Sequence, residues 1–319
     1  MGKGQHVPPV LGDTAPEEFL RRYWQREPLL VRGALPNYSS PLSADELAGL
    51  ATEDDVESRL VMETPDQSPT SSSWSLRHGP FNDADFARLP PSNWSLLVQA
   101  VDLWVPEVQK LLERFDFLPR WRMDDIMASF APDGGSVGPH FDQYDVFLVQ
   151  IEGERLWRVG ELCDETTGLV ADCDLRIVAD FQATEEWLLG PGDMLYLPPR
   201  LSHWGVAKGN CMTFSVGFRS PSLADMLADL GSELGALDTV AHFTDPQLTP
   251  AMAGEEIAAV FVQQAKHQLL GLLDDDALIA DWFARYMTRP KYPGLEEVTQ
   301  EERTGRALGR RYRNGELDD

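Results

Sequence analysis

Apolar positions change period along this chain, and the changes mark its organisation. Residues 14–17 read Thr-Ala-Pro-Glu, a hydroxyl followed three residues later by a carboxylate with a proline between. Phe19, Leu20, Tyr23 and Trp24 then recur at helical spacing, so the pattern predicts an opening helix. Glu27-Pro28 disfavours its continuation, and the apolar run before Gly33 suits a short buried strand. Ser43-Ala44-Asp45-Glu46 repeats the capping pattern ahead of Leu47 and Leu50, and a strand is expected over 56–63. Residues 64–73, TPDQSPTSSS, are polar, proline-bearing and low in complexity, as a surface loop would be.

From 93 to 218 short apolar runs dominate, at 94–101, 123–131, 145–151, 154–159, 186–189, 193–197 and 210–218, with Gly, Pro or Asp between them. Many short strands punctuated by turns predict a sandwich or barrel, interrupted by one helix over 106–115. After residue 220 the period lengthens. Leu223, Met226, Leu227 and Leu230, then Ile257, Val260 and Phe261, then Leu278, Ile279, Trp282, Phe283 and Tyr286 fall on i, i+3, i+4 stripes. A helical module over 221–290 follows from this, buried against the barrel, a second subunit or both. The polar end, with acids and arginines alternating over 301–313, reads as a solvated helix.

Composition narrows the function. Lys plus Arg total 27 against 52 Asp plus Glu, a net charge of −25, which argues against direct DNA binding and favours a basic partner. An apolar fraction of 43% supplies a sizeable core. The start lacks an apolar signal region and no window has the length of a membrane span, so a cytoplasmic protein is expected. Cys163, Cys173 and Cys211 form no CxxC pair, which leaves reduced thiols as the expectation.

Chemistry concentrates in two segments. His140-Phe141-Asp142 follows the glycine-rich turn DGGSVGP, and residues two apart on an extended segment share a face. His203 lies beyond the run PGDMLYLPP, a turn, strand and turn that would carry it to a barrel mouth. Two histidines and a carboxylate on one face of a metal leave three positions open, as in non-haem Fe(II) oxygenases. In Glu154-Arg155-Leu156-Trp157-Arg158-Val159, alternation groups Arg155 with Trp157 and Val159. If that face is interior, Arg155 is a buried cation that requires a carboxylate, supplied either by a dicarboxylic cosubstrate or by an internal salt bridge.

The segments GPHFDQYDVFLVQIEGERLWRVG (138–160), PGDMLYLPPRLSHWG (191–205), FSVGFRSPS (214–222) and YWQREPLLVRGAL (23–35) resemble the JmjC-type ribosomal oxygenases of the cupin superfamily. The similarity runs over roughly 10–290 and is strongest to the bacterial branch, which hydroxylates an arginine of a large-subunit ribosomal protein. The resemblance implies a mainly β fold, a double-stranded β-helix over 1–220 and an α-helical dimerisation module over 221–290. Residues 291–319 would then begin a winged-helix domain that the chain leaves incomplete. It also implies Fe(II), with 2-oxoglutarate and dioxygen as cosubstrates. His140, Asp142 and His203 would be the iron ligands and Arg155 the binder of the far 2-oxoglutarate carboxylate, with Ser129 a further member of that pocket.

On this reading the protein is a homodimeric protein hydroxylase whose partner is a basic ribosomal protein. A substrate guanidinium needs carboxylates beside the iron, and Asp133 and Asp145 are nearest in sequence, though both could simply form turns. Two alternatives share most of these features: a histidyl hydroxylase or methyl-lysine demethylase on the same iron site, and a non-catalytic metal-binding cupin scaffold.

Overall fold

The computed structural model describes residues 10–65, 72–236 and 242–318, which fall into two compact units divided between Ser220 and Pro221. The first unit opens with α1 (Pro16–Arg22), β1 (Leu29–Val31) and α2 (Ala44–Leu50). α2 carries the capping box expected from Ser43 and Glu46, whereas α1 is capped at Ala15 with no side-chain bond, so Thr14 does not play that part. The sheet continues with β2 (Ser58–Pro65) and β3 (Ser72–His78), then, after the one-turn helix α3 (Asp83–Phe86), β4 (Trp94–Val98). Two more one-turn helices, α4 (Val101–Trp104) and α5 (Pro106–Gln109), and a 3-10 segment Lys110–Phe115 lead to β5 (Met123–Ala131). β6 (Val146–Leu162), β7 (Glu185–Leu189), β8 (Met194–Leu197) and β9 (Leu201–Phe218) complete it.

These strands form one antiparallel sheet in the order β1-β8-β6-β9-β5-β4-β2-β3, with β7 also paired to β6. β6 and β9 bend. The first half of β6 pairs with β8 and the end of β9, and its second half pairs with β7 and the start of β9. The register shifts between Gln150 and Glu154 mark the corner. Gly153 sits there with φ of 62°, and a Cβ on it would lie 2.0 Å from the Asn210 carbonyl oxygen, so no other residue fits. Two strands shared by both halves of a folded-over sheet make a double-stranded β-helix.

The sheet is covered on both faces, which is why VFLVQI in β6 reads as a continuous apolar run. Phe147, Val149 and Ile151 join Phe19, Phe115, Phe214 and Phe218 in the larger core. Val146 and Leu148 face inward with Trp157, Val159, Leu195 and Leu197. Six of the ten residues of the expected TPDQSPTSSS loop, 66–71, lie outside the described residues, while Thr64 and Ser73 pair across the β2–β3 hairpin.

The second unit contains α6 (Leu223–Gly235), α7 (Ala259–Leu273), α8 (Asp276–Thr288), the short α9 (Glu296–Thr299) and a three-stranded sheet. Trp282 of α8 and Arg289, the C-cap that follows it, both bond Asp229 of α6. The expected solvated helix over 301–313 is instead the meander β10 (Thr304–Ala307), β11 (Arg310–Arg313) and β12 (Glu316–Leu317). Its turns are Leu308-Gly309 and Asn314-Gly315, all four residues at positive φ, the two-residue hairpin turns that override charge periodicity. Tyr312 is buried on α8, donating to Asp281 at 2.7 Å. No helix among the described residues is long and apolar enough to cross a membrane.

Candidate functional site

His203 stands on β9 two residues into the strand, and His140 lies in the loop before β6, facing it across an isolated antiparallel bridge. The two residues exchange backbone hydrogen bonds at 3.0 and 2.8 Å. Asp142 is fixed next to them by the Arg200 amide, which donates to its carbonyl at 2.6 Å. One ligand atom from each of His140, Asp142 and His203 falls within 4.8 Å of the others.

Each imidazole is oriented for coordination. Nδ1 of His140 lies 2.9 Å from the Gly138 carbonyl and Nδ1 of His203 lies 2.9 Å from the Leu201 carbonyl. A carbonyl can only accept, so Nδ1 carries the proton and Nε2 keeps its lone pair for a cation. Burial, and then the nearby His140, lower the His203 pKa to about 4, so it is neutral at neutral pH. Two imidazole nitrogens and one carboxylate oxygen suit a divalent transition metal with an open face.

The second half of β6 pairs Val159 with His203, Trp157 with Gly205 and Arg155 with Ala207, which puts all six on one inward face. Arg155 is 3% exposed, and its Nε and Nη2 have no hydrogen-bond partner among the described residues. A guanidinium buried without an anion is costly, so this cradle fits a carboxylate that enters with a ligand. Ala207 lies four positions along β9 from His203, about 13 Å of strand, a span that a metal-bound dicarboxylate and a long arginine side chain can bridge together. Ser129 is buried opposite Thr213, whose hydroxyl donates to Gln150 at 3.0 Å. Ala131 and Cys211, two residues further along the same faces, pack on Ala207, so Ser129 borders the Arg155 end of the interior.

Asp133 and Asp145 do not join this cluster. Asp133 is exposed and accepts from the Gly209 amide at 2.8 Å, midway along β9 and about 20 Å of strand from His203. Asp145 is wholly buried on the other face, accepting from the Tyr196 hydroxyl at 2.6 Å and the Gln25 amide at 3.1 Å. A further acid, Asp125 near the start of β5, is 3% exposed and accepts from the Gln99 side-chain amide at 2.7 Å. A Cβ on Gly217 would lie 3.7 Å from Asp125 Oδ1 and 3.9 Å from the Tyr144 ring, so the two side chains converge over that glycine. Burial, then the carboxylates of Asp142 and Asp125, raise the Tyr144 pKa. Sequence distance from the HxD motif hid Asp125, which the pairing of β5 with β9 places beside Tyr144.

The JmjC domain family matches residues 110–226, a span that contains the three clustered ligands, Arg155, Ser129 and Asp125. The ribosomal protein uL16 3-hydroxylase of Escherichia coli (strain K12) is 38% identical over 283 residues, covering 86% of this chain and 72% of that protein. A probable ribosomal oxygenase of Haemophilus influenzae is 43% identical over 213 residues, 66% of this chain and 51% of the relative. The solved structure of YcfD, a ribosomal oxygenase from Escherichia coli, in complex with cobalt and 2-oxoglutarate, matches with a TM-score of 0.79 at 34% identity, covering 96% of this chain and 86% of that one.

Proposed function

The chain belongs to the JmjC-type ribosomal oxygenases of the cupin superfamily, and from that premise we propose that it hydroxylates an arginine side chain of a large-subunit ribosomal protein with Fe(II), 2-oxoglutarate and dioxygen. The observation that carries the cosubstrate is Arg155, a buried guanidinium with two unpaired nitrogens on the same inward face as His203. His140, Asp142 and His203 would hold the metal, and Arg155, bordered by Ser129, would hold the far carboxylate. When bound, iron with 2-oxoglutarate and dioxygen supplies an oxidation able to convert an unactivated C–H bond to an alcohol, with succinate and carbon dioxide as coproducts.

The remaining residues select what is oxidised. Asp125 and the exposed Tyr144 converge over Gly217, and their carboxylate and hydroxyl would offer acceptors to a guanidinium. The net charge of −25 favours encounter with a strongly basic ribosomal protein, which the chain would meet in the cytoplasm. α7 has no buried residue among those described, and its exposed Val262, Leu269, Leu270 and Leu273 are the basis for proposing a homodimer.

The test is to incubate the iron-loaded protein with large-subunit proteins from cells that lack it and map every gain of one oxygen by peptide mass spectrometry. The expected increment falls on an arginine. An increment on histidine, or formaldehyde released from a methylated lysine, transfers the protein to another reaction on the same site.

A further inference from the structure

Arg155 is not the only donor left without an acceptor in the barrel. Trp157 is 4% exposed, and its indole Nε1, which can donate but never accept, has no hydrogen-bond partner among the described residues. Other indoles in the protein are satisfied: Trp94 donates to the Pro90 carbonyl at 2.8 Å, Trp204 to the Ser136 hydroxyl at 2.9 Å and Trp282 to Asp229 at 2.8 Å. An orphaned N–H in a buried position costs stability, so its retention calls for an acceptor that arrives from outside.

The ring's placement limits what that acceptor is. A Cβ on Gly205 would stand 2.7 to 2.9 Å from Cε3, Cζ3 and Cη2 of Trp157, so the benzo edge lies directly on the bare backbone of β9 and the edge bearing Nε1 is turned away from it. On one side the His203 ring centroid is 5.9 Å away; on the other the Arg155 guanidinium carbon is 5.7 Å from the indole. Trp157 therefore stands between a metal ligand and the buried cation. The metal would compensate the near end of a bound dianion, which leaves the far end as the place where unpaired donors are needed.

We infer that the Trp157 indole N–H is a second donor to the far carboxylate of the cosubstrate, acting beside Arg155. The inference rests on the 2-oxoglutarate reading above. One carboxylate has lone pairs enough for the Arg155 Nε and Nη2 and for the indole together. Trp157 thus selects for a dicarboxylate and not only for a 2-oxo acid.

Calorimetric binding to the cobalt-loaded protein tests this with two ligands, 2-oxoglutarate and 2-oxopentanoate, which has the same carbon chain without the far carboxylate. Trp157→Phe, which keeps a ring and removes the N–H, is expected to weaken 2-oxoglutarate by about 10- to 100-fold and leave 2-oxopentanoate unchanged. Equal affinity of the variant and the unmodified protein for 2-oxoglutarate overturns the inference, as does equal weakening of both ligands. Failure of the unmodified protein to bind 2-oxoglutarate overturns the cosubstrate reading instead. Should the variant not fold, the unmodified zinc-loaded protein, labelled at its nine tryptophans, gives the answer by NMR. One indole N–H signal is expected to move downfield with 2-oxoglutarate and not with 2-oxopentanoate, and the absence of such a signal overturns the inference.

Discussion

His140 and His203 are tied to each other through their backbones, N–H to carbonyl in both directions at 3.0 and 2.8 Å, while Nδ1 of each ring faces a backbone carbonyl of its own segment. The strand bridge sets the spacing of the two imidazoles and does not depend on them. Metal binding and folding are thereby separated at this site.

Replacing His203 or Asp142 with alanine is accordingly expected to abolish stoichiometric iron binding and leave the cooperative melt in place, because the bridge and the Arg200 amide bond to the Asp142 carbonyl survive truncation. Metal analysis together with thermal denaturation checks this. Full iron content in His203→Ala would remove it from the ligand set.

Arg155 makes the opposite prediction for stability. Without cosubstrate its buried guanidinium lacks partners at Nε and Nη2, so Arg155→Met should melt at the same temperature as the unmodified protein or above it. With cosubstrate the order reverses: 2-oxoglutarate raises the melting temperature of the metal-loaded unmodified protein and not of the variant, whose dissociation constant is expected to rise by about 100-fold. An unchanged dissociation constant would make Arg155 a structural cation only.

The ligand cluster and the inward arginine were legible in the sequence because both follow from period-two alternation and short-range spacing. The acid proposed here to meet the substrate was not. Asp145 is close to Asp142 in the chain but sits at the parity of Phe147, on the covered face, whereas the pairing of β5 with β9 brings Asp125 beside Tyr144 over Gly217. β9 was expected only from 210 onward, since Gly205 and Gly209 dilute its first half, yet Gly205 leaves the room the Trp157 ring occupies and Gly209 has a φ of 71°. The C-terminal meander was hidden by its charge alternation, although Asn314-Gly315 is a hairpin signal.

Asp145 supplies a pH test. Burial raises its pKa above the usual carboxylate range, against the bonds from Tyr196 and Gln25 and the charge of Arg122. A carboxyl that holds its proton more tightly when folded contributes stability fully below its unfolded pKa of about 3.9 and loses that contribution as pH rises through the native value. Asp145→Asn cannot titrate. The stability of the unmodified protein relative to this variant, from urea denaturation at a series of pH values, is therefore expected to fall with rising pH over that window. A constant difference would place the Asp145 pKa at its unfolded value.

The apolar side chains of α7 give the assembly test. Leu269 and Leu273, one turn apart and 63% and 41% exposed, would lie in the proposed dimer interface. The unmodified protein should sediment as a dimer at micromolar concentration, and Leu269→Glu with Leu273→Glu should sediment as a monomer with the melt of the first unit unaltered. A monomeric unmodified protein would assign those leucines elsewhere.

The central claim is that one metal cluster, one buried arginine and one acidic mouth together oxidise an arginine of a ribosomal protein. Isotopic dioxygen tests it most directly. With labelled dioxygen, Fe(II), 2-oxoglutarate and the ribosomal protein substrate, the account predicts one labelled oxygen in an arginine side chain and one in the succinate formed with it. Both should disappear in Asp142→Ala, and the arginine label should fall in Asp125→Asn at limiting ribosomal protein. Oxygen derived from water, or an unlabelled ribosomal protein beside labelled succinate, would contradict it.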